Sequence, residues 1–264
     1  MSEVSVASEH RDIRLDLLGG FELFCDGCAI DLPTSAQRLL AFLALRDRPL
    51  LRANVAGVLW DEITDEKSCA SLRSSLWRLR RSGLDLVEAR RADLRLSPQV
   101  RVDVHEVINT THALLSQRNG VLFLDLDEDE LGGDLLPDWY DDWVLVERER
   151  LRQLRLHALE ALAISRMEAG RHGEAAGAAL SAVSIEPLRE SAQRVLIRVH
   201  LAEGNVGEAV RQYHSYKQLL LEELGLAPSD QLESLMLPIM QRIGSPLHGP
   251  RRLMLDPKAV AAQA

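Results

Sequence analysis

A repeat in the second half of the chain constrains the fold more than any other feature. Residues 169–175 and 203–209 carry glycine, glycine, glutamate and alanine at equivalent positions, 34 residues apart. This period predicts stacked helix–turn–helix units with a glycine at each turn. Apolar spacing then predicts helices over 173–185, 189–202, 206–224 and 229–243, after a long amphipathic helix over 143–169. The matching pairs are Gly170 and Gly204, Gly173 and Gly207, Glu174 and Glu208, and Ala175 and Ala209.

Charge is distributed unevenly along the chain. The net charge of the 264 residues is −9, which by itself disfavours a nucleic-acid partner. Residues 105–264 carry a net of −8, but residues 67–101 hold nine basic and three acidic side chains, a net of +6. A basic segment inside an acidic chain is the local electrostatic footprint that contact with phosphates requires.

The order of elements in the first hundred residues is that of a winged helix. Period-two alternation from Ile13 and the Asp26-Gly27 turn predict a small antiparallel sheet. Helices are expected near 34–46, 52–60 and 66–82, the last ending at Gly83. Strand-like segments at 86–89 and 94–96 then enclose Arg90 and Arg91 as the tip of a basic hairpin.

The third of these helices has the residue pattern of a DNA-recognition helix. Cys69, Leu72, Leu76 and Leu79 form its apolar stripe, and the opposite face is small, hydroxylic and basic. Such a face suits the major groove, where arginine pairs with guanine or holds phosphates. The alternative, which the helix alone leaves open, is a solvated basic surface. The face carries Lys67, Ser74, Arg78 and Arg81, with Ser71 at its flank, and Arg90, Arg91 and Arg95 are expected to grip the DNA backbone.

Signals for enzymatic chemistry are weak. The eight histidines are scattered, and phosphate-binding, nucleophile-elbow and zinc-protease motifs are missing, so we expect no enzyme, metal or cofactor and no nameable ligand pocket in the repeats. Cys25 and Cys28 bracket the Asp26-Gly27 turn and indicate either a redox switch or two incidental small apolar residues. A polar N-terminus, three cysteines and no apolar run of membrane-spanning length predict a cytoplasmic location without a membrane partner.

A family resemblance rests on six short motifs, at 52–60, 71–81, 94–96, 133–143, 147–151 and 222–226. These motifs resemble those of the SARP-type activators, which regulate antibiotic biosynthesis clusters in actinomycetes. That family joins an OmpR-type winged helix to a helical bacterial transcriptional activator domain, and the resemblance covers about residues 12–240. Two departures are Ser71, where the family usually has asparagine, and Asp93-Leu94, where its wing usually has glycine and tyrosine. The motifs are RANVAGVLW at 52–60, SLRSSLWRLRR at 71–81, LRL at 94–96, GDLLPDWYDDW at 133–143, ERERL at 147–151 and EELGL at 222–226.

The resemblance implies more than the pattern does. It implies that the helix containing residues 72–80 is the recognition helix, which adds Arg73 to the predicted DNA-binding residues. It also implies that Arg90 and Arg91 lie in the wing. It implies that a loop over 60–65 faces RNA polymerase or its sigma factor. It also implies direct repeats near the −35 region of promoter DNA, bound by a homodimer or a tandem pair. The loop residues concerned are Trp60, Asp61, Glu62 and Asp65.

These observations predict an α+β winged-helix domain followed by an all-α tetratricopeptide-like domain. We expect a disordered N-terminus at 1–11, the winged helix at 12–104, the helical domain at 105–244 and a flexible tail at 245–264. Sequence-specific activation of transcription is the favoured function. An interaction adaptor is the alternative, because winged helices sometimes bind proteins, although an adaptor does not need the local excess of positive charge.

Overall fold

The computed structural model describes residues 11–116 and 124–244. The tail predicted at 245–264 and nearly all of the disordered segment predicted at 1–11 therefore lie outside the described residues. Within them, no helix is both long and apolar enough to cross a membrane. The strands are β1 (Ile13–Asp16), β2 (Glu22–Cys25), β3 (Cys28–Ala29), β4 (Leu50–Leu51), β5 (Val87–Ala89), β6 (Asp93–Leu96) and β7 (Val100–Val102).

The first half of the chain is a winged helix, as predicted. Its three helices share a hydrophobic core with a four-stranded sheet of order β3-β2-β1-β7 and a three-stranded sheet of order β4-β6-β5. The wing is the β5–β6 hairpin, with Arg90 and Arg91 at its tip. The helices are α1 (Thr34–Arg46), α2 (Arg52–Leu59) and α3 (Asp65–Arg81).

Two strands and one pairing direction differ from the sequence expectation. β4 is only two residues long and directly precedes α2, so no alternation reveals it; it pairs with β6 and anchors the wing. β7 pairs in parallel with β1, so the first sheet is mixed rather than purely antiparallel. Val100 and Val102 are buried while Arg101 is exposed, and three residues are too few for this alternation to distinguish a strand from the start of the next helix.

The second half is helical and contains the predicted repeat. Gly170 and Gly204 adopt positive φ angles of 76° and 88° at the turns of two successive helix pairs, a backbone conformation that side chains with a Cβ disfavour. A short 3₁₀ helix (Glu128–Leu131) precedes the pairs. The helices are α4 (Asp103–Ser116), α5 (Asp142–Glu168), α6 (His172–Ile185), α7 (Glu190–Glu203), α8 (Val206–Leu224) and α9 (Asp230–Gly244).

The hydrophobic core of the winged helix extends into the start of the helical half, whose helix pairs have separate clusters of their own. The winged-helix core continues into Leu135, Leu136, Trp143 and Val144 of the following segment. The amide of Leu136 donates to the carbonyl of Leu17, and that of Gly19 donates to Asp134, so the 134–136 segment pairs with the end of β1. The GDLLPDWYDDW motif therefore has a structural role, because it attaches the helical half to the winged helix.

Aromatic and ionic contacts reinforce this attachment. Trp143 packs edge-on against Phe42 of α1, with ring centroids 5.2 Å apart, and Trp139 stacks on Phe21. Ion pairs join Arg38 to Asp141 and Arg46 to the buried Glu147. Because these pairs connect α1 with the start of α5, the position of α5 is coupled to that of the winged helix.

Candidate nucleic-acid interface

The sequence of α3 explains both its ends and its orientation. Asp65 and Glu66 in the first turn and three arginines in the last turn complement the helix dipole. Gly83, with a φ of 72°, follows the helix and donates its amide to the carbonyl of Arg80. The face directed into the core is formed by Ser68, Leu72, Ser75, Leu76 and Leu79. The predicted stripe is thus confirmed for its three leucines, whereas Cys69 is only half-buried.

The opposite face of α3 is exposed and positively charged. At 100° per residue, Lys67, Ser74 and Arg81 lie along its centre because they are spaced by seven residues. Arg73 and Arg80 lie on one flank, and Arg78 and the half-buried Ser71 lie on the other. Every predicted residue of this helix except Ser71 is exposed, so the fold brings the predicted set together on one surface.

The cations of this surface are mostly without ionic partners. Among the described residues, Lys67, Arg73, Arg80 and Arg91 form no ion pair and no side-chain hydrogen bond. Arg78 donates to the hydroxyl of Ser35 at 2.7 Å, which fixes its direction but leaves its charge uncompensated. Arg81 lies 4.8 Å from the ring centroid of Trp77, which is itself half exposed. The surface therefore carries net positive charge that internal pairing does not cancel.

The wing contains one arginine held by two hydrogen bonds, one at the distance limit of an ion pair and one without an ionic partner among the described residues. Arg95 donates to both carboxylate oxygens of Glu88, at 2.9 and 3.0 Å, and this hydrogen bonding lowers the pKa of Glu88. Arg90 lies 4.0 Å from the same carboxylate, whereas Arg91 is exposed at the tip. Arg95 was predicted to grip the DNA backbone, but its charge is compensated within the wing, so it is a weaker candidate than Arg90 and Arg91.

Two further arginines belong to this surface and are not in the predicted set. Arg80 is exposed on the flank of α3 beside Arg73. Its position in the basic run at 78–81 is the sequence feature from which it could have been predicted. Arg52 begins α2 and lies against the wing, since its amide donates to Ala92 and its guanidinium to the carbonyl of Arg90. No local pattern indicates this contact, because 38 residues separate the two arginines.

The acidic loop after α2 faces the start of the helical half. Trp60, Asp61 and Glu62 line an open groove of about 770 Å³, whose other wall includes Tyr140 and Asp142. Tyr140 is 79% exposed, and Val58 and Ile63 also expose apolar surface beside it. Asp65 does not line the groove, because it begins α3. The groove thus combines acidic groups with exposed apolar surface.

In the sequence of α5, Arg148, Arg150, Arg152 and Arg155 are mixed with Glu147, Glu149 and Glu160, a pattern that predicts a salt-bridged surface. That expectation is correct for Arg150, which pairs with Glu147, and for Arg152, which pairs with Glu149 and Glu186. It is wrong for Arg148, whose guanidinium instead donates to the carbonyls of Leu135, Leu136 and Trp139. The turn at 135–139 leaves these carbonyls without strand or helix partners, which a charge pattern does not reveal. The expectation is also wrong for Arg155, which forms no ion pair among the described residues.

The Cys25–Cys28 pair lies across a tight hairpin, as predicted. The two residues are directly opposed in the β2–β3 register, and both thiols are free. Desolvation and the neighbouring Asp26 carboxylate raise the pKa of Cys25, which lowers its thiolate fraction. Cys25 also packs against the winged-helix core, so the structure favours the interpretation of small apolar residues over a reactive thiol.

Comparison with known proteins assigns the chain to a family. The model of the bacterial transcriptional activator domain matches residues 84–240, which is more than half of the chain. The match begins before the wing and ends within α9. It therefore covers the β5–β6 hairpin, the GDLLPDWYDDW motif at 133–143 and both helix pairs of the repeat.

Curated relatives and a solved structure extend the match to the winged helix. The regulatory protein AfsR of Streptomyces coelicolor is 27% identical over 240 residues, and AfsR of Streptomyces griseus is 26% identical over 249 residues. Each match covers 87% of this chain but only 24% of the relative, so the chain spans about a quarter of their length. The structure of Mycobacterium tuberculosis EmbR, in complex with a low-affinity phosphopeptide, has a TM-score of 0.74 at 24% identity and covers 88% of this chain and 66% of that one.

The matched regions correspond to the two halves of the fold. The structural match covers the winged helix and the helical repeats together, and the family model covers the helical half with its junction to the wing. The chain therefore belongs to the bacterial transcriptional activator domain family, and it joins that domain to a winged helix in the manner of the SARP-type activators.

Proposed function

We propose that the chain is a sequence-specific activator of transcription that acts in the cytoplasm on promoter DNA. In this proposal α3 enters the major groove, and Arg90 and Arg91 of the wing contact a neighbouring phosphate backbone. The observation that carries it is the unpaired positive charge on one surface, formed by Lys67, Arg73, Arg80 and Arg91 within the described residues.

The distribution of roles over this surface follows from position and charge. Lys67, Ser74 and Arg81 lie at the centre of the exposed face of α3, where base edges are approached. Arg73, Arg78 and Arg80 lie on its flanks, nearer the phosphate strands that border the groove. Ser71 is half-buried, so its contribution to base reading is indirect.

The finer points of the function rest on the family resemblance. We propose that the target is a promoter of a secondary-metabolite cluster with direct repeats near the −35 region, bound by a homodimer or a tandem pair. The helical half carries most of the negative charge and would be repelled by phosphates. It is therefore suited to contacts with protein rather than with DNA.

We further propose that the acidic groove contacts RNA polymerase or its sigma factor. Asp61, Glu62 and Asp142 supply negative charge, and Tyr140 supplies an exposed aromatic anchor. Such a combination suits a basic partner segment with an apolar face. The groove connects the winged helix with the helical half, so it exists only while the two halves remain joined.

The deciding experiment is fluorescence anisotropy with DNA from the neighbouring promoter and a scrambled duplex, over a salt series. We expect sequence-dependent binding whose logarithmic affinity falls steeply with the logarithm of salt concentration, by about 0.9 per phosphate contacted. The double variant Arg73→Glu with Arg91→Glu should lose binding while its thermal unfolding is unchanged.

The matched control is Arg198→Glu with Arg242→Glu, which reverses the same charge on exposed helical positions away from α3. It should bind the promoter like the wild type. If the Arg73→Glu/Arg91→Glu protein still binds DNA and still activates a reporter, the DNA-binding proposal is wrong, and the winged helix is a protein-contact module.

A further inference from the structure

The largely apolar cavity between the two halves of the chain has the features of a ligand site. Its volume is about 250 Å³, and it lies between the end of β1, α4, the 131–135 segment and α5. Leu18, Val107, Leu154 and Arg155 are among the residues that line it. The cavity is partly open to solvent and lies where the two halves meet, so a small ligand can enter it.

One buried polar group in the wall of the cavity lacks a partner. Thr111 of α4 is completely buried, and no hydrogen-bond partner lies within reach of its Oγ1 among the described residues. A buried hydroxyl without a partner is destabilising. Valine would fill the same space without this penalty, so the hydroxyl is better explained by a polar group that enters the cavity.

One cation at the cavity also lacks a partner. Arg155 forms no ion pair or hydrogen bond within the described residues, and its Nε is buried without an acceptor. Its neighbours on α5 differ, because Arg152 is held by Glu149 and Glu186, and Arg148 is held by backbone carbonyls. The charge of Arg155 is therefore available to an anion.

The charges around the cavity favour an anionic occupant. Three arginines and one carboxylate, that of Asp134, line it, and the rest of the lining is mostly apolar. A cationic ligand would be repelled, and a purely apolar ligand would leave Arg155 without a partner. The volume is below the range of about 300–1,000 Å³ typical of drug-sized ligand pockets, so the occupant is small.

We propose that this cavity binds a small amphipathic carboxylate, such as a medium-chain fatty acid. The hydrocarbon part lies among Leu18, Val107 and Leu154, and the carboxylate accepts hydrogen bonds from Arg155. The hydroxyl of Thr111 donates a further hydrogen bond to the same carboxylate. Because the lining comes from both halves of the chain, the bound ligand stabilises their junction, and this binding does not depend on DNA.

The test is isothermal titration calorimetry of the full chain with sodium octanoate, together with thermal unfolding. We expect saturable binding of one octanoate per chain and a rise in the unfolding temperature. Loss of a charge-assisted hydrogen bond should make Arg155→Gln bind about tenfold more weakly. 1-Octanol should bind the wild type more weakly than octanoate does, and octylammonium should not bind.

Two further variants make the result independent of any folding defect. Val107→Phe fills the cavity and should abolish binding, whereas Thr111→Val should weaken it by a smaller factor. Arg155→Gln removes an unpaired charge, so it should unfold no earlier than the wild type without ligand. Arg198→Gln removes the same charge from an exposed position on α7 and should bind octanoate like the wild type.

Three results would overturn the proposal. The first is the lack of saturable octanoate binding by the wild type. The second is equal binding by the wild type and Arg155→Gln, and the third is equal binding of octanol and octanoate. Since none of these measurements involves DNA, the DNA-binding proposal can fail without affecting this one, and the reverse also holds.

Discussion

Apart from Arg155, the arginines of α5 are held by partners within the described residues, whereas most arginines of α3 have no ionic partner there. On α5, Arg150, Arg152 and Arg166 pair with carboxylates, and Arg148 is held by backbone carbonyls. On α3, Arg73 and Arg80 project into solvent without any partner in the described chain. The first group stabilises the fold, and the second group is available to an external anion.

This difference shows how a local excess of charge should be interpreted. Residues 67–101 carry a net of +6, but Arg95 pairs with Glu88 inside the segment, and Arg101 pairs with Asp12 outside it. The charge that remains for phosphates is that of α3 and the wing tip. A charge count therefore locates the surface, whereas the pairing of each side chain decides which of its residues can act.

The largest expected effect concerns a paired arginine. Arg166 is buried and donates to the carbonyls of Leu124 and Leu126 and to the carboxylate of Glu128. Replacement by methionine leaves these groups without their donor, so Arg166→Met should lower the free energy of unfolding by about 3 kcal/mol. Urea denaturation monitored by circular dichroism measures this change in the free energy of unfolding.

For an unpaired arginine of α3, we expect a much smaller loss of stability. Arg73→Met removes the same charge from an exposed, unpaired side chain and should change the free energy of unfolding by less than about 0.5 kcal/mol. Similar losses for Arg73→Met and Arg166→Met would contradict the distinction between the two groups of arginines.

The second prediction concerns DNA affinity. Arg73→Gln with Arg80→Gln should make the dependence of logarithmic affinity on logarithmic salt concentration shallower by about 2, because each phosphate contact contributes about 0.9. Arg150→Gln with Arg152→Gln removes equal charge from ion pairs, so it should leave this slope unchanged and instead lower the unfolding temperature. Fluorescence anisotropy gives the salt dependence of DNA binding for both double variants, and calorimetry gives their unfolding temperatures. A shallower salt dependence for Arg150→Gln/Arg152→Gln, with none for Arg73→Gln/Arg80→Gln, would contradict the proposed DNA-binding surface.

The third prediction converts a paired arginine into an available one. Glu88→Gln removes the carboxylate that holds Arg95, so the wing gains a cation that can reach a phosphate. We expect tighter DNA binding and a salt dependence steeper by up to about 1. Glu168→Gln, at an exposed position on α5, removes the same negative charge far from the wing. If both variants strengthen binding equally, net charge rather than the release of Arg95 is responsible.

The smallest expected effect is the acid sensitivity of one α5 pair. Hydrogen bonds from Arg152 and Gln153 lower the pKa of Glu149 from 4.5 to about 2. Since the pKa is lower in the folded state, the pair stabilises the fold above about pH 4.5, and this contribution is lost as the pH falls toward 2. Because Glu149 is half exposed, the effect should be below about 1 kcal/mol.

The measurement compares wild type and Glu149→Gln by urea denaturation at pH 6 and at pH 3. The difference in stability between the two proteins should shrink at the lower pH. Carbon-13 NMR titration of the Glu149 carboxyl gives its pKa directly, and a midpoint near 4.5 would contradict the pairing.

Much of the fold was predictable because the relevant signals are local. The 34-residue period, the positive-φ glycines at its turns and the apolar stripe of α3 are all visible in short windows. The β4 and β7 strands were missed because two or three residues carry no period. The contact of Arg52 with the wing and the groove beside Tyr140 depend on residues that are far apart in sequence.

The candidate site shows the same division. Residue type and helical spacing were sufficient to select Lys67, Ser74, Arg78 and Arg81 as one face. They were not sufficient to separate Arg95, which is neutralised by Glu88, from Arg91, which is free. The cavity at Thr111 and Arg155 had no signal in the sequence, because its walls come from five separate segments.

The order of the helices, the wing, the 34-residue repeat, the basic face of α3 and the family could all be read from the sequence. These features depend on the spacing of residue types along the chain, which folding preserves. The pairing of each arginine, the attachment of the helical half through the 133–143 motif and the position of the cavity became visible in the folded chain alone. Each of these depends on contacts between segments that are distant in sequence, and such contacts leave no periodic pattern in the chain.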